Sequence, residues 1–119
     1  MKYFVNIEPC IIESGKKFGL EPIATGGGCD FIWRGVGTPY ESEGFTTYPA
    51  ELVLADCDYM DCSPETLDAR CFVAGYLADP EWQNAYVIEF ETVTEAMKFM
   101  QSVKEPSDIA NHDRVKKQF

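Results

Sequence analysis

Residues 92–105 place the tightest local constraint on this chain. Thr92 and Glu95 have the Thr-x-x-Glu spacing, in which the hydroxyl and the carboxylate each satisfy an orphan amide at a helix start. Val93, Ala96, Met97, Met100 and Val103 then make one apolar stripe, and Pro106 stops the helix. A helix with a single stripe is held mainly by packing that stripe against another apolar layer. The rest of the chain must supply that layer.

The preceding residues supply it as strands. Residues 86–90 (Tyr-Val-Ile-Glu-Phe) and 71–77 (Cys-Phe-Val-Ala-Gly-Tyr-Leu) are rich in β-formers, and the Asp79-Pro80 turn joins them as an antiparallel pair. A helix from Pro64 to Leu77 is the rival, because Leu67, Cys71, Ala74 and Ala78 would share a face. Residues 51–55 form a short central strand. Residues 20–36 read as two strands folded about Gly26-Gly27-Gly28, and residues 2–8 alternate as a further strand. Polar residues 13–17 read as a loop, and so do residues 35–45 with their three glycines. Ser63-Pro64-Glu65 has the marks of a short helix start. Residues 107–119 are polar and read as a loose tail or a short docking helix. The fold class expected is α+β: a mainly antiparallel sheet of five or six strands with one clear amphipathic helix on a face. At 119 residues the chain is expected to make a single domain, 1–119.

Charge narrows the function. Twenty acids against ten bases leave −10, which argues against direct nucleic acid binding and against an anionic membrane surface. The longest apolar runs fall short of the roughly 18 to 20 residues of a membrane span. Five cysteines without a tight framework fit free thiols in a reducing compartment. The expected location is the cytoplasm, the host's if a virus or mobile element encodes the chain.

The acids are concentrated. Residues 41–95 carry thirteen acids and one base, Arg70, for a net −12. Such crowding costs stability through self-repulsion. It reads either as a solubilising surface or as a negative face for a basic partner. The expected partner-binding residues are Glu51, Asp56, Asp58, Asp61, Glu65, Asp68, Asp79, Glu81 and, beside the Asp79-Pro80 turn, Trp82.

Chemical motifs are missing where enzymes need them. Counted from Asp56, the acidic run has Asp61 and Leu67 where a calcium loop needs glycine and glutamate. Cys57, Cys62 and Cys71 include no Cys-x-x-Cys pair for zinc, so no metal or cofactor is expected. His112 is the only histidine, and there is no Gly-x-Ser-x-Gly turn, His-Glu-x-x-His helix or dinucleotide glycine fingerprint. No catalytic residue is assigned. The run Gly26-Gly27-Gly28-Cys29 lacks the Lys-Ser/Thr of a phosphate loop and precedes a strand, so a turn with positive φ is the simpler explanation.

The leading expectation is a non-enzymatic inhibitor or accessory factor. Its acidic centre docks on a basic surface of another protein, including one that holds nucleic acid. The alternative is a small-ligand or nucleotide-binding module using Gly26, Gly27, Gly28, Cys29, Trp33 and Tyr76. A small enzyme using carboxylate or thiol catalysis is third.

Overall fold

The computed structural model describes residues 7–24, 30–57, 62–77, 84–112 and 115–117. Helix α1 (Pro9–Lys17) comes first, with proline in its first turn and Lys16 and Lys17 in its last, where cations favour the helix dipole. Strands β1 (Glu21–Ala24) and β2 (Asp30–Val36) follow, then β3 (Tyr40–Ser42), β4 (Phe45–Thr47) and β5 (Ala50–Asp56). Next come β6 (Cys71–Leu77), β7 (Asn84–Phe90), α2 (Val93–Ser102), α3 (Pro106–Ala110) and β8 (Lys116–Lys117). The main sheet runs β1-β2-β5-β6-β7-β8, and each neighbouring pair is antiparallel. The α+β class and the antiparallel sheet of the sequence reading are both present.

The helices lie on one face of this sheet. Residues of alternate parity point there: Ile32 and Val36 from β2, Ala50, Leu52 and Leu54 from β5, Cys71 and Val73 from β6, Ile88 and Phe90 from β7. Onto them α2 lays Val93, Ala96, Met97 and Met100, all fully buried, with Val103 at its C-cap. Thr92 Oγ1 accepts from the Glu95 amide at 3.2 Å, as the Thr-x-x-Glu spacing predicts. At the other end of α2 the Arg34 guanidinium donates to the carbonyls of Met100 (2.6 Å) and Val103, satisfying groups that the helix leaves open. Burial lowers the pKa of Arg34 from its usual value.

Several expectations need correction. Residues 13–17 are the last turns of α1 and not a loop: Ile11 and Gly15 face the sheet, and Gly15 lets the helix approach the Ile32 side chain. Of the strand expected at 2–8, residues 1–6 lie outside the described residues, and Ile7 and Glu8 lead into α1 without strand pairing. Residues 35–45 are not one exposed loop. They hold the end of β2 and most of a β3–β4 hairpin, whose turn residues Glu43 and Gly44 both have positive φ (51° and 83°) as a tight right-twisted turn requires. Ser63-Pro64-Glu65 starts no helix. Ser63 and Pro64 are buried, and Ser63 Oγ caps nothing. The segment's Leu67 carbonyl instead accepts from the Val93 and Thr94 amides at the head of α2. The rival helix over 64–77 is absent, since β6 pairs along its whole length with β5 and β7.

Residues 107–119 do not form a loose tail where they are described. Helix α3 is the short docking helix: Asp108 accepts from the amides of Lys104 (3.0 Å) and Glu105 (3.2 Å), which hold its acid below the usual range. Ile109 is fully buried over Gly75, and β8 pairs with the edge of β7. His112 stands edge-on to Phe99, ring centroids 5.0 Å apart.

Candidate functional site

The register of the sheet sorts the expected site residues into two places. At the end where β5 and β7 finish and β6 begins, Asp56, Cys71 and Phe90 lie side by side. Asp56 takes the Cys62 carbonyl at 2.9 Å through its amide, which folds the 62–70 segment over this end. Glu65 and Asp68 are exposed on that segment, and Cys10 Sγ donates to the Glu65 carbonyl at 3.7 Å, bringing in the start of α1. Glu89 arrives from β7, Glu91 directly after it, and Glu95 from the first turn of α2, where an acid favours the helix dipole. Six carboxylates from four segments thus lie at this end of the sheet, and two of them, Glu89 and Glu91, pair with Arg70. Glu89 also accepts from Cys57 Sγ at 3.8 Å. Only Asp56, Glu65 and Asp68 of this group are among the residues expected from sequence. Glu89, Glu91 and Glu95 join them because an antiparallel strand returns the chain to the same end, a relation that no local spacing reveals.

Glu51 is not part of that end. It sits near the start of β5 and points to the helix-free face, with Tyr76 of β6 opposite it and Trp33 of β2 one diagonal step away. The structure therefore moves Glu51 out of the expected acidic group and places it beside Trp33 and Tyr76, two residues of the ligand-binding alternative. The indole N–H of Trp33 donates to the Glu51 carboxylate, and partial burial still pushes the acid above its ordinary range. Tyr48 stands edge-on to Trp33 with ring centroids 5.5 Å apart. Asp58, Asp61, Asp79, Glu81 and Trp82 lie outside the described residues, as do Gly26, Gly27, Gly28 and Cys29.

Two further features bear on chemistry. The Cys71 thiol donates to the Thr92 carbonyl at 3.6 Å, and burial, with the charges of Cys57, Asp56 and Glu95, pushes its pKa up to about 12. That is the reverse of what activates a nucleophilic thiol. An open cleft of about 820 Å³ is lined by Arg34, Gly37, Thr38, Lys104, Glu105 and Ser107 among others. Its guanidinium already serves the end of α2. Among the described residues, no three histidine, cysteine or acidic side chains gather as a metal site, and no helix is long and apolar enough to cross a membrane. Comparison with protein-family models, with curated proteins and with solved structures finds no match for this chain.

Proposed function

We propose that this chain is a non-enzymatic binding protein of the cytoplasm, an inhibitor or accessory factor whose acidic end docks on a basic surface of another protein. The observation that carries the reading is the gathering of Asp56, Glu65, Asp68, Glu89, Glu91 and Glu95 about one end with Arg70 as the described base beside them. Lys16 and Lys17 stand at the far end of α1, and Lys104 follows the far end of α2 beside Glu105 and Asp108, so acids there have bases among them. A concentrated charge orients an approaching basic partner and speeds encounter more than the same charge spread evenly.

The test compares two charge-matched variants in pull-downs from native cytosol at low and moderate salt. One reverses the acidic end (Glu65→Lys, Asp68→Lys, Glu91→Lys). The other reverses exposed acids elsewhere (Glu13→Lys, Glu21→Lys, Glu43→Lys). A partner held by the acidic end is lost from the first variant, kept by the second, and weakened by salt because exposed fields fade over about 8 Å at physiological ionic strength. Equal retention by both variants would overturn the reading in favour of a surface that only aids solubility. A nucleic acid duplex that competes for the partner would identify its basic surface as a nucleic-acid site, the case in which the carboxylates stand in for phosphates.

A further inference from the structure

The helix-free face carries a cluster that the acidic end does not use. Glu51 projects from β5 between its register partners Gly35 of β2 and Tyr76 of β6. Gly35 has no side chain, and the Tyr48 ring occupies the space: a Cβ at Gly35 would meet ring atoms at 2.5 Å. Tyr48 is braced edge-on by Trp33, and Trp33 holds the carboxylate through its indole N–H. Glu51 therefore has Tyr48 and Trp33 on one side and the half-open Tyr76, 37% exposed, on the other.

Among the described residues, no ion pair reaches this carboxylate: those present join Arg70 to Glu89 and Glu91, at the other end of the sheet. A carboxylate has about four acceptor positions, and one N–H uses one of them. A partly desolvated anion flanked by aromatic rings is matched by a cation that can donate several hydrogen bonds and lie against π-faces. Guanidinium does both: it is planar, pairs with a carboxylate through two parallel N–H groups and stacks on aromatic rings. A hard metal ion would want several oxygen ligands, and one carboxylate stands here.

We propose that Trp33, Tyr48, Glu51 and Tyr76 form a receptor for the guanidinium of an arginine side chain presented by a partner protein. The partner, and not a free small molecule, is the occupant because the cluster, otherwise half-buried, reaches the surface of the sheet at the exposed Tyr76. Small ligands are usually held in concave sites that bury most of their surface, whereas a side chain brings the remainder of an interface with it. The receptor sits on the opposite half of β5 from Asp56 and does not depend on the acidic end.

The ¹⁵N-labelled full chain is titrated with three short peptides that present arginine, lysine or norleucine between blocked glycines, all at one ionic strength. The readout is the indole N–H signal of Trp33, assigned by its loss in Trp33→Phe. The arginine peptide shifts this signal saturably and the norleucine peptide does not. Glu51→Gln weakens the arginine peptide at least about tenfold, as loss of a charge-assisted pair implies, and Tyr76→Ala, an exposed position, weakens it severalfold. The variant reversed at Glu65, Asp68 and Glu91 binds the peptide like the wild type, so failure of this receptor and failure of the acidic-end reading are separate results. Equal shifts from the arginine and norleucine peptides, or undiminished binding by folded Glu51→Gln, would overturn the receptor. Equal binding by the lysine peptide would overturn its assignment to guanidinium.

Discussion

Along β5, Leu52 and Leu54 point into the helix-covered layer and are fully buried, whereas Glu51 and Val53, their immediate neighbours, point to the opposite face and stay partly exposed. The same alternation runs through β6, where Val73 and Gly75 lie under α2 and α3 while Tyr76 faces out. The helix-covered face is continuous and apolar, and the half-buried Arg34 within it is spent on the carbonyls of α2. The helix-free face buries Phe31, Ala55, Ala74 and Val87 but also holds a carboxylate among aromatic rings. One face carries most of the folding energy, and the other leaves polar groups in positions that folding does not require.

That contrast can be broken most sharply by truncation. Met97→Ala or Leu54→Ala should cost roughly 2 to 5 kcal/mol in urea unfolding, the usual range for deleting a large side chain from a closed core. Val53→Ala, one residue away on the other face, should cost about 1 kcal/mol or less. Equal losses would mean that both faces are equally closed.

Two glycines sharpen the comparison at smaller cost. A Cβ at Gly75 would meet Ile109 Cγ2 at 2.6 Å, so Gly75→Ala must displace the Ile109 side chain that anchors α3 and should cost about 1 to 3 kcal/mol. Gly35→Ala displaces the Tyr48 ring, which can swing toward solvent because it is already partly exposed. Its signature is a loss of near-ultraviolet circular dichroism from the Trp33–Tyr48 pair with a smaller fall in stability. Removing the α2 cap by Thr92→Ala should cost about 1 kcal/mol.

The smallest effects belong to the charges. Glu51 binds its proton more tightly in the folded chain than in the unfolded one, so its contribution to stability is greatest at low pH. That contribution is lost as pH rises from the ordinary carboxylate range through the raised folded value. Urea midpoints measured across this window should show that decline in the wild type minus Glu51→Gln difference. A difference that instead rises with pH would contradict the burial of this acid. Arg70→Ala should change stability by no more than about 1 kcal/mol, because its pairs with Glu89 and Glu91 are solvent-exposed.

Elements with a full local signal are legible in the sequence. The Thr92 cap and five-residue stripe specify α2, and runs of β-formers specify β5, β6 and β7. Helix α1 was not legible, because it buries only Ile11 and Gly15 and its remaining polar residues look like a loop. Ser63-Pro64 misled for the opposite reason: a good capping pair is buried, and the following carbonyl of Leu67 serves another helix. The site was legible as residue types and not as groups. In the sequence Glu51 groups with the acids and Trp33 with the glycines, and only the pairing of β2, β5 and β6 puts them together.

The two borders of the sheet are poor templates for a further strand. Outer strand β1 has four residues and includes Pro22, which has no amide hydrogen to offer an incoming strand. Outer strand β8 has two residues, both lysine. Short, proline-bearing and lysine-bearing borders discourage the strand-to-strand stacking that leads to aggregates. A further strand is thereby disfavoured at both rims, which leaves the two faces of the sheet as its larger surfaces.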